Sequence, residues 1–157
     1  MNKVRRAAEK DIERILELLV QVDMVHHNGR PDLFKVPATK YNADELKTII
    51  SDDETPVFVC EDENGKVLGH AFCIHKYQKE DNVLTDISTL YIDDICVDET
   101  SRGEGVGRSL YNHVLEYAKE KKIYKVTLNV WSCNPGAMKF YEAMGMKPQK
   151  VVMETVL

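Results

Sequence analysis

The residues whose spacing carries most chemistry lie between Leu90 and Ser109, LYIDDICVDETSRGEGVGRS. Leu90 to Val97 is apolar apart from Asp93 and Asp94 and reads as a strand, which the polar run Asp98 to Ser101 ends. Arg102-Gly103-Glu104-Gly105-Val106-Gly107-Arg108 then enters a helix carrying Val106, Leu110, Val114 and Ala118 at four-residue spacing. The first N–H groups of a helix have no partner inside it, and the helix dipole adds positive potential there. Glycines let an anion approach those groups closely, because no Cβ intrudes. The pattern points to a phosphorylated ligand.

Spacing narrows the choice. A P-loop needs glycine first and Lys-Ser or Lys-Thr last. With Ser109 in last place, Arg102 stands in the glycine position and Arg108 in the lysine position. A dinucleotide fingerprint starting at Gly103 requires glycine where Arg108 stands. What fits is Arg/Gln-x-x-Gly-x-Gly/Ala after a strand, met by Arg102, Gly105 and Gly107. A second segment, Asn134-Pro135-Gly136-Ala137-Met138-Lys139-Phe140-Tyr141, opens with a good N-cap and a proline at the first helical position. Gly145 follows as a left-handed stop, so a short helix is expected over 135–144. Arg102 to Gly107 resembles the acyl-CoA pyrophosphate loop of the GNAT superfamily of N-acyltransferases. Asn-x-x-Ala-x-x-Phe-Tyr followed by glycine resembles the matching helix of the same family. The likeness is strong over residues 86–146 and extends loosely to the whole chain through the order of its elements.

The resemblance implies an α/β (α+β) fold: a mixed, mostly antiparallel central sheet flanked by helices, with a splayed central strand pair. It implies acetyl-CoA as co-substrate, its pantetheine arm paired with main chain at Ile95, Cys96 and Val97. The pyrophosphate would rest on N–H groups across Arg102, Gly103, Gly105, Val106, Gly107 and Arg108. Asn134 would face the arm from the opposite wall, cap its helix, or do both. The implied reaction is direct acetyl transfer to a primary amine. Such an amine, with pKa ~10.4, must lose a proton first. A carboxylate, Asp93 or Asp94, is the candidate base. Neighbours on a strand face opposite ways, so only one should enter the cleft unless a bulge intervenes. Tyr91-Ile92-Asp93-Asp94 resembles the Tyr-Leu-Glu-Asp of polyamine acetyltransferases, with aspartate, one methylene shorter, in the glutamate's place. Tyr141 is the implied general acid for the departing thiolate; the alternative is packing under a final strand. The implied amine site corresponds to His26, His27, Arg30, Asp32, Phe34 and the last dozen residues.

These residues need elements to hold them. Lys3 to Ala7 reads as a first strand and Glu9 to about Met24 as a helix with Ile12, Ile15, Leu16, Leu19 and Val20 on one face, though no good N-cap precedes it. Val25 to Lys40, with two prolines and a glycine, reads as irregular, with Pro31 able to open a short helix. Asn42 to Glu45 resembles a capping box for a helix to about Ser51. Val57 to Glu61 and Lys66 to Tyr77 flank a turn and should form a hairpin. Leu84 to Val97 should pair antiparallel with its second arm. The helix over 106–121 precedes a strand, Lys125 to Trp131. A last strand, Met146 to Leu157, is expected, interrupted near Pro148.

At 157 residues with 43% hydrophobic and 30% charged residues, the expectation is one N-acetyltransferase domain over 1–157. No apolar run nears the ~20 residues of a membrane span, and MNKVRRAAEK is no signal peptide. A net charge of −5 argues against nucleic acid as the main partner. Cys60, Cys73, Cys96 and Cys133 have no metal-ligand spacing and fit a reducing cytoplasm. The expected partner is an amine-bearing small molecule or peptide, with no metal, no nucleic acid and no membrane; a homodimer is left open. Two other readings stand beside the enzyme: a non-catalytic acyl-CoA sensor, and a cysteine enzyme using Cys96 or Cys133. No His and Asn/Asp set around either cysteine supports the latter.

Overall fold

The computed structural model describes residues 2–36 and 39–157. Five strands form one sheet in sequence order: β1 (Lys3–Arg6), β2 (Val57–Glu61), β3 (Val67–Gln78), β4 (Ile87–Val97) and β5 (Lys125–Leu128). The first four pair antiparallel, and β5 joins β4 in parallel. Helices α1 (Ile12–Gly29) and α2 (Ala43–Ser51) contribute Ile15, Leu18, Leu19, Leu46 and Ile50 to one core, against Val57, Val59 and Phe72. On the other sheet face, α3 (Val106–Glu120) packs Val106, Leu110, Val114 and Ala118 on Phe58, Leu68, Leu90 and Ile92. The four-residue spacing is thus the buried stripe of α3. Each of the valine and leucine side chains contributes about 1.5–3 kcal/mol when fully buried. The last helix, α4, is Pro135–Ala143.

Local signals hold where the chain supplies its own partners. The Asn42 side chain accepts from the Glu45 N–H at 2.8 Å, and Glu45 returns the bond to the Asn42 N–H at 3.1 Å, the expected capping box. Asp62 turns the β2–β3 hairpin by accepting from the Asn64 and Lys66 N–H groups, each at 2.9 Å. The start of the first helical segment has a cap the sequence hid. A single 3-10 turn, Glu9–Asp11, precedes α1, and the Asp11 carboxylate accepts from the Ala8 N–H at 2.8 Å while Arg5 grips it.

Four expectations are corrected. Helix α1 runs on to Gly29 instead of stopping near Met24, so the irregular stretch begins later. Glycine there is a contact residue: a Cβ at Gly29 would stand 2.6 Å from the Cys133 sulfur. Pro31 lies in a turn, and Pro37 and Ala38 of that stretch lie outside the described residues. Strand β4 starts at Ile87, three residues after Leu84, and β5 ends at Leu128, before Trp131. Residues 146–157 form no strand. Pro148 lacks a donor, and the segment is tied by side chains, Lys125 Nζ to Gln149 Oε1 at 2.8 Å and Arg30 to Glu154, while Val152 and Met153 stay exposed.

Candidate active site

The early end of β5 opens the site. Pairing between β4 and β5 runs from Thr89–Lys125 to Ile92–Leu128 and stops. Beyond it, β4 continues to Val97 paired only with β3, so the sheet parts in the expected splay. At the parting the Tyr91 hydroxyl accepts from the Asn129 side-chain N–H at 3.1 Å.

A bulge sits at this fork. Phe72 pairs with Asp94 and Cys73 with Ile92, leaving Asp93 as the extra residue. Ile92 and Ile95 therefore both pack in the core on the α3 side, whereas Cys96 packs in the other core. Regular alternation would put Ile92 and Ile95 on opposite faces. The extra residue instead turns Asp93 and Asp94 together toward the α1–α2 face, where each finds a partner. Both carboxylates lie on that face, one more than simple alternation allows.

They are held differently. Asp93 Oδ2 takes the Tyr41 hydroxyl at 2.8 Å and the Lys40 ammonium at 2.8 Å. Burial, then this bond to Asp93, pushes the Tyr41 phenol above its ordinary range. Asp94 Oδ2 lies 3.3 Å from Nε2 of His70, a fully buried side chain of β3. Nδ1 of that ring is buried without a hydrogen-bond partner. A proton on Nδ1 would leave a buried donor unsatisfied, so Nε2 carries it and donates to Asp94.

The glycine loop lies past the end of β4. Asp98 closes a 3-10 turn over Glu99–Ser101 by accepting from the Thr100 N–H at 3.0 Å; this bond and Arg14 hold its carboxyl below the usual range. Gly105 is the N-cap of α3 with φ +80°, a left-handed angle glycine adopts without strain, and no side chain caps the helix. The first bond inside α3 is Ser109 N–H to Gly105 C=O at 3.0 Å, which leaves the N–H groups of Val106, Gly107 and Arg108 pointing outward. The Val106 side chain is buried in the core, so only its main chain serves this end.

Opposite, α4 brings two residues up from the end of β5. The Asn134 side chain accepts from the Ala137 N–H at 3.2 Å, the capping role. Tyr141 is 8% exposed, its ring 6.4 Å from that of Tyr111. Burial first, and then the charge of Asp94, raise its phenol above the ordinary range. After Asp94, the phenol of Tyr111 and the thiol of Cys96 also act on the Tyr141 phenol. Cys96 itself is buried, its thiol directed at the Leu18 carbonyl at 3.3 Å, and burial pushes it up to about 12. A thiol so held is a poor nucleophile at neutral pH, against the cysteine-enzyme reading.

The residues near the end of α1 form a cluster. His26 packs on Phe34 with ring centroids 5.0 Å apart, Phe34 meets Trp131 edge-on at 5.2 Å, and Arg30 joins Asp32 at 2.8 Å. Sequence reasoning missed His70, Lys40, Tyr41 and Asn129. His70 had a faint signal, a lone polar residue within the small and apolar LGHAFC run; the others had none. Among the described residues no group of three or more His, Cys, Asp or Glu side chains is placed to hold a metal ion, and no helix is long and apolar enough to cross a membrane.

Known proteins resemble this chain in sequence and fold. The chain is 31% identical over 95% of its length to an uncharacterized N-acetyltransferase of Methanocaldococcus jannaschii, and spans 62% of that relative's length. It is 26% identical to thialysine N-epsilon-acetyltransferase of Bos taurus, over 90% of this chain and 82% of that one. The crystal structure of a mutant BH1408 protein from Bacillus halodurans superposes with a TM-score of 0.95 at 30% identity, covering 99% of both chains. The model of the acetyltransferase (GNAT) family matches residues 23–146, which span the fork, the glycine loop and α4, and the chain belongs to that family.

Proposed function

We propose that the chain is an N-acetyltransferase that moves an acetyl group from acetyl-CoA to a primary amine by direct transfer. One observation supports this reading above the others: β4 runs on past its last pair with β5, and that free edge carries two carboxylates and leads to a helix N-terminus that no side chain caps. The residues fit the co-substrate. Main chain at Ile95, Cys96 and Val97 offers an edge for an amide-bearing arm. The N–H groups at Val106, Gly107 and Arg108, with Arg102 and Arg108 nearby in the chain and Gly103 and Gly105 leaving open space, suit a pyrophosphate. When bound, acetyl-CoA supplies the activated acyl thioester.

The side chains divide the rest. Asp93 binds the acceptor's ammonium, as it now binds Lys40. Asp94, oriented by the Nε2–H of His70, takes the proton that frees the amine lone pair. Tyr141 keeps its phenolic proton at neutral pH and gives it to the leaving sulfur. Asn134 holds α4 in place. The bovine relative is named for an N-epsilon-acetyltransferase activity on thialysine, so a lysine-like side-chain amine heads the acceptor panel.

The test is thiol release from acetyl-CoA with lysine analogues, polyamines, aminoglycosides and peptide N-termini. Turnover with a primary amine is the expected result. Tight CoA binding with no turnover on any amine would replace the enzyme with an acyl-CoA sensor.

A further inference from the structure

Lys40 occupies the place the proposed acceptor must take. Its ammonium lies 2.8 Å from Asp93 Oδ2, the oxygen that also takes the Tyr41 hydroxyl. It stands 5.7 Å from the centre of the Tyr41 ring, a cation–π distance. Its charge acts on the Tyr91 phenol, whose oxygen is joined to Asn129 where β4 and β5 part. An alkylammonium on a carboxylate at the fork is the pose that an external primary amine would need. The groups facing it are Asp93, Tyr41, Tyr91 and, one residue further along the bulge, Asp94.

We propose that Lys40 is a self-acetylation site: in the absence of another amine, the chain transfers an acyl group from its thioester co-substrate to its own Lys40 Nζ. This rests on the acyltransferase reading above. The ammonium gives one proton to a carboxylate of the Asp93–Asp94 pair. Nζ then forms a C–N bond with the acyl carbon, the C–S bond breaks, and the sulfur leaves as a thiol with one proton. The product is a neutral amide that no longer pairs with Asp93. Self-acetylation therefore clears the carboxylate for an external ammonium, and the modified chain binds cationic acceptors more tightly than the unmodified one.

The experiment incubates the full chain with acetyl-CoA alone and follows intact mass and proteolytic peptides. The expected result is one acetyl group on Lys40, gained at a rate per molecule that does not change with protein concentration. Asp93→Asn should slow it by ~10-fold or more, because the ammonium loses the carboxylate that seats it beside the reacting groups. A second readout needs no acetyl-CoA: reductive methylation should label Lys40 faster in Asp93→Asn than in the unaltered chain, because the ion pair is gone. Equal labelling of the two chains would overturn the proposal, as would acetylation of Lys40 no faster than that of Lys47 or Lys119. Release of thiol with an external amine but no acetyl on Lys40 sinks this inference and leaves the proposed function standing. Neither thiol release nor modification sinks both.

Discussion

From Thr89 to Ile92, β4 is paired on both sides, and Leu90 and Ile92 are buried between sheet and α3. From Asp93 to Val97 the same strand is paired on one side only, carries a bulge, and holds two carboxylates that its other half would not tolerate. The lower half satisfies its backbone internally and stabilises the fold. The upper half leaves main-chain groups unpaired on one side and carries two carboxylates held by side chains, at the end where α3 begins. The contrast teaches that one register change separates a doubly paired strand from a free edge. Substitutions in the two halves should fail differently.

The largest effect belongs to the lower half. Leu90→Ala empties a fully buried position and should lower unfolding free energy by about 2–5 kcal/mol, leaving acetyl-CoA affinity of the folded chain unchanged. Chemical denaturation with calorimetry on the folded fraction checks both parts, and a loss of affinity with intact stability would reverse the contrast. Gly105→Val comes next. It imposes a β-branched residue at φ +80° and screens the end of α3. Losing one hydrogen bond to a charged group costs about 1.5–3 kcal/mol, so the dissociation constant for acetyl-CoA should rise roughly 10- to 100-fold by calorimetry.

Tyr141→Phe sharpens the comparison at the fork. It keeps the ring packed near Tyr111 and removes only the proton, so kcat should fall ~10-fold or more with acetyl-CoA affinity unchanged. Burial and Asp94 raise the Tyr141 phenol, so its protonated form persists to higher pH and any falling limb from its loss moves up. On the proposed function, the unaltered chain should therefore keep its acid-dependent rate to at least pH ~10, the ordinary tyrosine value. A decline well below that pH that disappears in Tyr141→Phe would contradict the shift. The smallest effect is expected for Cys96→Ala. Alanine retains the N–H and C=O that an edge needs, so affinity should stay within about twofold, with a stability loss near 1 kcal/mol for the emptied core position.

What was legible in the sequence follows the range of the interactions. The glycine loop, the Asn42–Glu45 capping box and the Asn134-Pro135 helix start are written in neighbouring residues, and each appears where expected. The bulge at Asp93 was not legible, because it is defined by which β3 residues stand opposite, Phe72 and Cys73. Helix α1 runs on to Gly29, where a Cβ would stand 2.6 Å from the sulfur of Cys133, over a hundred residues away and invisible to local spacing. The final segment has strand-like composition, but β5 offers it no ladder, and composition alone makes no strand. Lys40 and Tyr41 meet Asp93 only through the fold, so no spacing announced them.

The claim that the upper half of β4 is a reserved binding edge is tested most directly by amide hydrogen exchange with and without CoA. The account predicts new protection at amides within residues 93–97 and at the N–H groups of Val106, Gly107 and Arg108, with residues 89–92 unchanged. Protection elsewhere, with exchange in 93–97 unaltered at saturating CoA, would contradict it.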